Sequence, residues 1–229
     1  MHFTSKEEKT QSVRIRENFK NIVLRNGVED PKLSLANRTQ RINQHYKGAK
    51  GRPIKILYLG RLDQKKNIEL LLKSLSRLNR SYFLTIVGSG DEKYITKILA
   101  EAKSTLGQNN FKFCGALYDS ARDDAFYSAD IFILPSFSEN FGLVIAEALI
   151  RGVPVICSTN TPWKEIVSKN AGWCIDNDEN KLRDIIEKID FSDLARKAQN
   201  GLTWMEESFL WSDVTDEFSL EVTKFVHKR

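Results

Sequence analysis

Two carboxylates eight residues apart, Glu139 and Glu147, bracket the densest chemical signal in the chain, Ser136-Phe137-Ser138-Glu139-Asn140-Phe141-Gly142-Leu143-Val144-Ile145-Ala146-Glu147-Ala148. Apolar patterning predicts a helix from about Phe141 to Ile150. If it starts near Asn140, the free N–H groups of Asn140 to Leu143, with the helix dipole, form a phosphate site. Glycine at 142 lets an anion approach the backbone closely. Glu147 lies two turns on and can point up the same face, where a carboxylate accepts paired hydrogen bonds from ribose hydroxyls. The plainer alternative makes Glu139 a helix cap and Glu147 a solvated residue. Val144, Ile145, Ala146, Ala148 and Leu149 around Glu147 argue against that, because a carboxylate in so apolar a helix needs a partner.

A second cluster is Gly60-Arg61-Leu62-Asp63-Gln64-Lys65-Lys66-Asn67. Arg61 follows directly on an apolar strand, and Lys66 stands near the start of the next helix. Two such cations suit a diphosphate leaving group, arginine through its planar fork and lysine as a point charge. Lys65 reads as surface charge. Two other motifs carry less. Asp176-Asn177-Asp178 is a D-x-D, a pattern that can hold a metal–diphosphate, but here it precedes the helix Lys181–Ile189 and reads as a turn with a helix cap. Gly88-Ser89-Gly90 lacks the third glycine of a dinucleotide fingerprint, since position 93 is Lys. Cys114, Cys157 and Cys174 sit among apolar neighbours, without a C-x-x-C, and His2, His45 and His227 are scattered, so neither a metal site nor a Ser-His-Asp site is expected.

The elements that must position these groups alternate. Ile54–Leu59, Tyr82–Val87, Phe111–Cys114, Ile131–Leu134 and Val153–Cys157 are short apolar strands. Between them run helical stripes (Ile68, Leu71, Leu72, Leu75, Leu78; then Tyr94, Ile98, Leu99), and a further helix is expected to start at Thr161-Pro162. This is the pattern of an α/β fold: a Rossmann-like open parallel sheet with helices on both faces. Ligands of such sheets bind outside the carboxyl ends of the strands. That places Gly60-Arg61, Gly88–Asp91, Gly115–Leu117, Pro135–Glu139 and Ser158–Pro162 on one rim. Ser5–Lys20 is expected to be a polar helix, Ile22–Leu24 a strand and Asn26-Gly27 a turn, while residues 30–52 read as a linker or exposed loop. Trp204, Phe209, Trp211, Val214, Phe218, Val222 and Phe225 make an apolar helical end that something must cover.

Composition bounds the rest. At 229 residues, 41% hydrophobic and 28% charged, the chain has the make-up of a packed globule of one to two domains, not of a disordered or disulfide-stapled one. Its longest apolar runs fall far short of the roughly 20 residues that span a bilayer, and residues 2–20 have no signal-peptide core. The expected location is the cytoplasm or the cytoplasmic face of a membrane. The net charge of +5 owes much to Arg38, Arg41, Lys47, Lys50, Arg52, Lys55, Arg61, Lys65 and Lys66. These attract phosphate or simply solvate a surface; the two readings weigh about equally. Basic residues are not interleaved with aromatics over residues 1–52, which disfavours nucleic acid.

G-R-L-x-x-x-K, V-G-x-G, F-x-G, P-S-x-x-E-x-F-G-L-x-x-x-E-A and G-x-P-V-I occur in this order from Ile54 to Ile189. Together they resemble the C-terminal, nucleotide-sugar-binding half of retaining GT-B glycosyltransferases of the family 4 type. The resemblance implies transfer of a sugar from a nucleoside diphosphate sugar, of UDP or GDP type, to an acceptor hydroxyl, without a metal or other cofactor, in bacterial polysaccharide or glycolipid assembly. It implies that Arg61 and Lys66 hold the diphosphate, that Glu139 contacts the transferred sugar, and that Phe141, Gly142 and Leu143 present backbone amides to sugar and phosphate. It also implies that Glu147 binds the ribose, and that Gly60, Gly115, Ala116, Leu117 and Ile133–Pro135 lie along the donor, the last two groups at the base. Asn67 stands where such proteins commonly have glycine, and Thr161-Pro162-Trp163 replaces a glycine pair. On this reading residues 1–50 are a remnant of an N-terminal domain with its linker, 51–200 the donor domain, and 201–229 helices that pack back towards an absent acceptor-binding domain. The chain alone is then expected to bind donor weakly and transfer little, with a saccharide or lipid-linked acceptor and peripheral membrane contact belonging to the whole enzyme. A sugar-nucleotide epimerase of the same fold and a non-catalytic nucleotide-binding module are the alternatives.

Overall fold

The computed structural model describes residues 2–4, 8, 22–23 and 26–226. The expected helix Ser5–Lys20 falls almost wholly outside them. Strands β1 (His2–Phe3) and β2 (Ile22–Val23) pair in parallel as a separate ribbon. Gly27 forms no turn. It lies against Trp211, where an added Cβ would come within 2.5 Å of the indole.

The body is one six-stranded, all-parallel sheet of β3 (Ile54–Leu59), β4 (Tyr82–Val87), β5 (Phe111–Phe113), β6 (Ile131–Leu134), β7 (Val155–Ser158) and β8 (Gly172–Ile175), in the order β5-β4-β3-β6-β7-β8. Every residue of β6 and β7 is buried, as crossover helices on both faces require. The sheet edge at β8 had no clear signal, because Gly172-Trp173-Cys174-Ile175 is short and opens on glycine. That glycine is needed: a Cβ there would sit 2.1 Å from the Val155 carbonyl oxygen.

The helices are α1 (Leu35–Tyr46), α2 (Ile68–Ser76), α3 (Glu92–Leu106), α4 (Asp119–Ser128), α5 (Leu143–Ile150), α6 (Glu165–Ser168), α7 (Glu179–Lys188), α8 (Phe191–Ser208) and α9 (Trp211–Val226). Two expectations fail here. Residues 30–52 are no loop, for α1 occupies their middle and packs on α8. Its inward face is Arg38, Ile42 and Tyr46, four residues apart, so the apolar stripe that marks a helix in sequence is broken by a charge. Arg38 is buried because the Ile150 carbonyl (3.1 Å) and Asp30 (2.9 Å) accept from it and Glu206 (2.6 Å) pairs with its charge. Thr161-Pro162 starts no helix either. The Thr161 hydroxyl donates to the Ser158 carbonyl (2.8 Å), and α6 begins only at Glu165.

At the amino ends of β3 and β6 a second cation of the basic run is consumed. Asp130, fully buried, accepts two bonds from Arg52 (2.6 Å each), one from His45 Nε2 (2.7 Å) and one from the Lys55 amide (2.7 Å). Burial alone would raise its pKa; these donors overcome that and hold it below the usual carboxylate value. Arg38 and Arg52 therefore neither await phosphate nor solvate a surface.

Candidate active site

The strand order reverses direction between β3 and β6, so the loops leaving their carboxyl ends diverge and open a crevice. These are the loops carrying Gly60–Lys66 and Pro135–Gly142. They are tied together: the Phe137 amide donates to the Lys65 carbonyl (2.7 Å), Asn67 Nδ2 to the Pro135 carbonyl (3.1 Å), and Lys66 Nζ to Glu139 Oε1 (2.6 Å). Asn67 is left-handed (φ 54°), a conformation that asparagine tolerates better than other side chains. Asparagine in a glycine position thus keeps the turn and adds a tie.

An open cleft of about 600 Å³ lies between the loops, lined by Gly60, Arg61, Lys66, Glu139, Phe141, Gly142, Leu143 and Glu147, with Asp63 and Arg122 among their neighbours. Pro135 is buried behind it, its carbonyl engaged by Asn67. Gly115, Ala116 and Leu117 follow β5 on the same rim but do not line the cleft, and the Gly115 carbonyl accepts from the Gly88 amide (2.8 Å). Gly88 and Gly90 serve packing. A Cβ on either would fall 1.8 Å from the Gly60 oxygen or 2.2 Å from the Leu62 oxygen.

Arg61 is 70% exposed, and its Nε donates to Asp63 Oδ2 (2.6 Å). The other Asp63 oxygen accepts from the Lys66 amide (3.2 Å), capping the single 3₁₀ turn Gln64–Lys66. Some burial raises the Asp63 pKa, but Arg61 and the turn amides hold it below the ordinary value. One carboxylate therefore sets both cations of the rim. Its position in the motif was visible, its role was not. Glu139 is held from two sides, by Lys66 and by the Ser136 hydroxyl (2.6 Å), and so is not a helix cap.

Helix α5 begins at Leu143, later than expected, because Gly142 is left-handed (φ 76°) and interrupts the helical path from Asn140. The amides that lack a helical acceptor are then those of Leu143 and Val144, while Ile145 already donates to the Gly142 carbonyl (2.9 Å). The loop before Gly142 rests on an aromatic wedge. Trp163 is buried, its indole N–H donates to the Phe141 carbonyl, and its ring lies 5.3 Å from those of Phe141 and Phe209 and 5.8 Å from that of Trp204. The Thr161-Pro162-Trp163 segment thus supports the site from behind.

Glu147 has the partner its apolar flanks demand. It is Arg122 of α4, a helix that no sequence signal announced. Burial pushes the Glu147 pKa up, against the pull of Arg122 and Arg151. Asp178 caps α7 through the amides of Asn180 (2.8 Å) and Lys181 (2.9 Å), and Asp176 pairs with Lys181 (2.6 Å). Among the described residues no group of three or more His, Cys, Asp or Glu side chains is arranged to hold a metal ion.

Among known proteins, the chain is 26% identical over 169 residues to an uncharacterized glycosyltransferase of Methanocaldococcus jannaschii, a match covering 71% of this chain and 43% of that one. It is 30% identical over 117 residues to the phosphatidyl-myo-inositol mannosyltransferase of Mycobacterium leprae, covering 49% and 30%. The chain spans less than half the length of these relatives. Anabaena Alr3699/HepE, solved with UDP and glucose, superposes with a TM-score of 0.80 at 19% identity over 97% of this chain and 62% of that one, a likeness of fold, which is that of GT-B glycosyltransferases. A family profile matches residues 40–198, well over half the sequence, and by that match the chain belongs to the family Glycosyl transferases group 1.

Proposed function

We propose that the cleft binds a nucleoside diphosphate sugar, of UDP or GDP type, and that the chain is the donor-binding half of a retaining, family 4 hexosyltransferase. The observation that carries this reading is the convergence of Arg61, Lys66, Glu139, Glu147 and a helix start on one cleft at the strand-order reversal. Arg61, Lys66 and the amides of Leu143 and Val144 meet the diphosphate, Glu139 orients the sugar, and Glu147 accepts from the ribose. Gly115, Ala116, Leu117 and Pro135 lie towards the base. In the reaction the bond from the anomeric carbon to the diphosphate oxygen breaks, a bond to the acceptor oxygen forms on the same face, and the acceptor's proton passes to the departing diphosphate. The residues of the rim stabilise the departing diphosphate, an effect worth about 3–4 kcal/mol for one well-placed donor. With side-chain cations and a helix start in that role, a metal is not needed.

A second domain facing the cleft brings the acceptor, a saccharide or a lipid-linked one, in polysaccharide or glycolipid assembly. Peripheral contact with the cytoplasmic face of a membrane belongs to the same proposal; among the described residues no helix is long and apolar enough to cross a membrane. A thermal-shift panel of UDP, GDP, ADP and CDP on this chain tests the reading. A ligand at 100 times its dissociation constant adds about 2.7 kcal/mol, or roughly 5–10 °C at this size. A shift with one base supports the donor site and names the nucleotide. No shift with any of them counts against it.

A further inference from the structure

The Arg122–Glu147 pair has no counterpart in the motifs that marked the cleft. Arg122 lies one turn into α4, its amide bonded to the Tyr118 carbonyl (3.3 Å), and its side chain, one-third exposed, lines the cleft. Glu147 lies in the wall of the same cleft, on helix α5, whose other residues are all apolar, with its side chain only 12% exposed. Arg122 engages Glu147 Oε2, and among the described residues no donor is bonded to Oε1. The carboxylate therefore has one oxygen fixed and one acceptor to spare, beside a guanidinium with further donors. A vicinal diol, which offers two hydroxyls a short distance apart, fits that arrangement: one hydroxyl donates to Oε1 while the other accepts from the guanidinium.

We propose that Arg122 is a positioning residue that holds Glu147 for a ribose diol, so that preference for ribonucleotides over 2′-deoxyribonucleotides resides in this pair. The inference rests on the donor-site reading above. Among the described residues no other cation is bonded to the Glu147 carboxylate. Arg151, at the end of α5, bonds the main-chain carbonyl of Glu147 (3.1 Å) rather than its carboxylate and pairs with Asp123 (2.7–2.8 Å), over the ring of Phe126. Glu29, from the segment before α1, opposes the charge. The charged carboxylate is the form that accepts from a hydroxyl, so affinity for the diol is full above the Glu147 pKa and falls as pH drops through it. Burial already raises that pKa, and removal of Arg122 raises it further.

The test is calorimetric titration of the chain with UDP against dUDP, and GDP against dGDP, from about pH 4.5, near the ordinary glutamate value, up to about pH 8.5. The wild type is expected to favour the ribonucleotide by about tenfold or more, the scale of one hydrogen bond to a charged group. Arg122→Met is expected to bring the two within about threefold, and to move the loss of affinity to higher pH. Arg122→Lys, which keeps the charge, restores both. Should Arg122→Met not fold, Glu147→Gln serves in its place and loses both the preference and the pH dependence. If Arg122→Met keeps the preference and the pH profile, or the wild type binds nucleotide without discriminating, the positioning role is overturned and the donor site stands. If the wild type binds none of the four nucleotides, the donor reading itself falls, and this inference with it.

Discussion

Strand β6 carries a carboxylate cluster at each end, and the two are built from the same ingredients to opposite effect. Asp130, just before the strand, is fully buried, and four donated bonds from Arg52, His45 and Lys55 surround it. Glu139, just after the strand, shares its bonded oxygen between Lys66 and Ser136, beside an Arg61 that is mostly exposed and a cleft of about 600 Å³. The first cluster is complete, its carboxylate buried and both oxygens engaged by donors. The second is unfinished: its cations are positioned by Asp63 and Glu139 but still face open space. An ion pair marks a binding site when its hydrogen-bonding capacity is left over, and a structural joint when none is.

The comparison breaks most visibly at the complete end. Asp130→Ala strips the partners from Arg52 and the Lys55 amide, and breaking a buried pair costs about 3–5 kcal/mol. A fall in melting temperature of roughly 10 °C or more is expected, with nucleotide binding unchanged in the protein that remains folded. The pH dependence has a definite sign. Because the folded pKa of Asp130 is lowered, its stabilisation is present above the unfolded value and is lost as pH falls through the folded one, below about pH 4. Acid denaturation monitored by circular dichroism should therefore lose its steepest component in the variant. At the unfinished end the pattern reverses. Lys66→Ala is expected to weaken nucleoside diphosphate binding about 10- to 100-fold, as loss of one charge-assisted bond would, while the melting temperature moves by only a few degrees. If Lys66→Ala unfolds the chain as Asp130→Ala does, the distinction between the two clusters fails.

Much of this was legible before the fold was known, and the exceptions share a cause. The strands β3, β4 and β6 and the cleft residues Arg61, Lys66, Glu139 and Glu147 announce themselves because they are local patterns: an apolar run, a glycine, a charge at a fixed offset. The need for a partner to Glu147 could be deduced from its flanks, but the partner's identity could not, since Arg122 lies 25 residues away in a helix of weak amphipathicity. Helix α1 was missed for a related reason. Arg38 occupies a core position that only Asp30, Glu206 and the Ile150 carbonyl make tolerable, and none of these is near enough in sequence to be counted. The late start of α5 turns on one dihedral, the left-handed φ of Gly142, which composition leaves undecided.

Trp163 sharpens the comparison from behind, because it joins the open cluster to the core. Trp163→Phe keeps a ring against Phe141, Trp204 and Phe209 but removes the donor to the Phe141 carbonyl. The expected loss is about 1 kcal/mol of stability, or some 2–4 °C. Affinity for a nucleoside diphosphate should drop by a few-fold, since the amides of Leu143 and Val144 follow directly on the loop that the indole steadies. Equal affinity in the two proteins, by calorimetry, would place the support of that loop in Gly142 and the Lys66–Glu139 tie instead.

The smallest effect belongs to Asp178, whose acidic pattern imitates a metal site. Its Oδ1 is already engaged by the Asn180 and Lys181 amides, and both oxygens of Asp176 are engaged, by Lys181 and by Thr159 (3.0 Å), so this exposed pair is set as a helix cap and a surface ion pair. Asp178→Ala should cost about 1 kcal/mol, the ordinary penalty for a lost helix cap, and lower the melting temperature by 2–4 °C at most. Nucleotide affinity should be the same in both proteins, with magnesium or with a chelator. A magnesium-dependent affinity that disappears in Asp178→Ala would turn this cap into a ligand and extend the open cluster across the rim to β8. Equal affinity under all four conditions leaves Arg61, Lys66 and the start of α5 to meet the diphosphate without it.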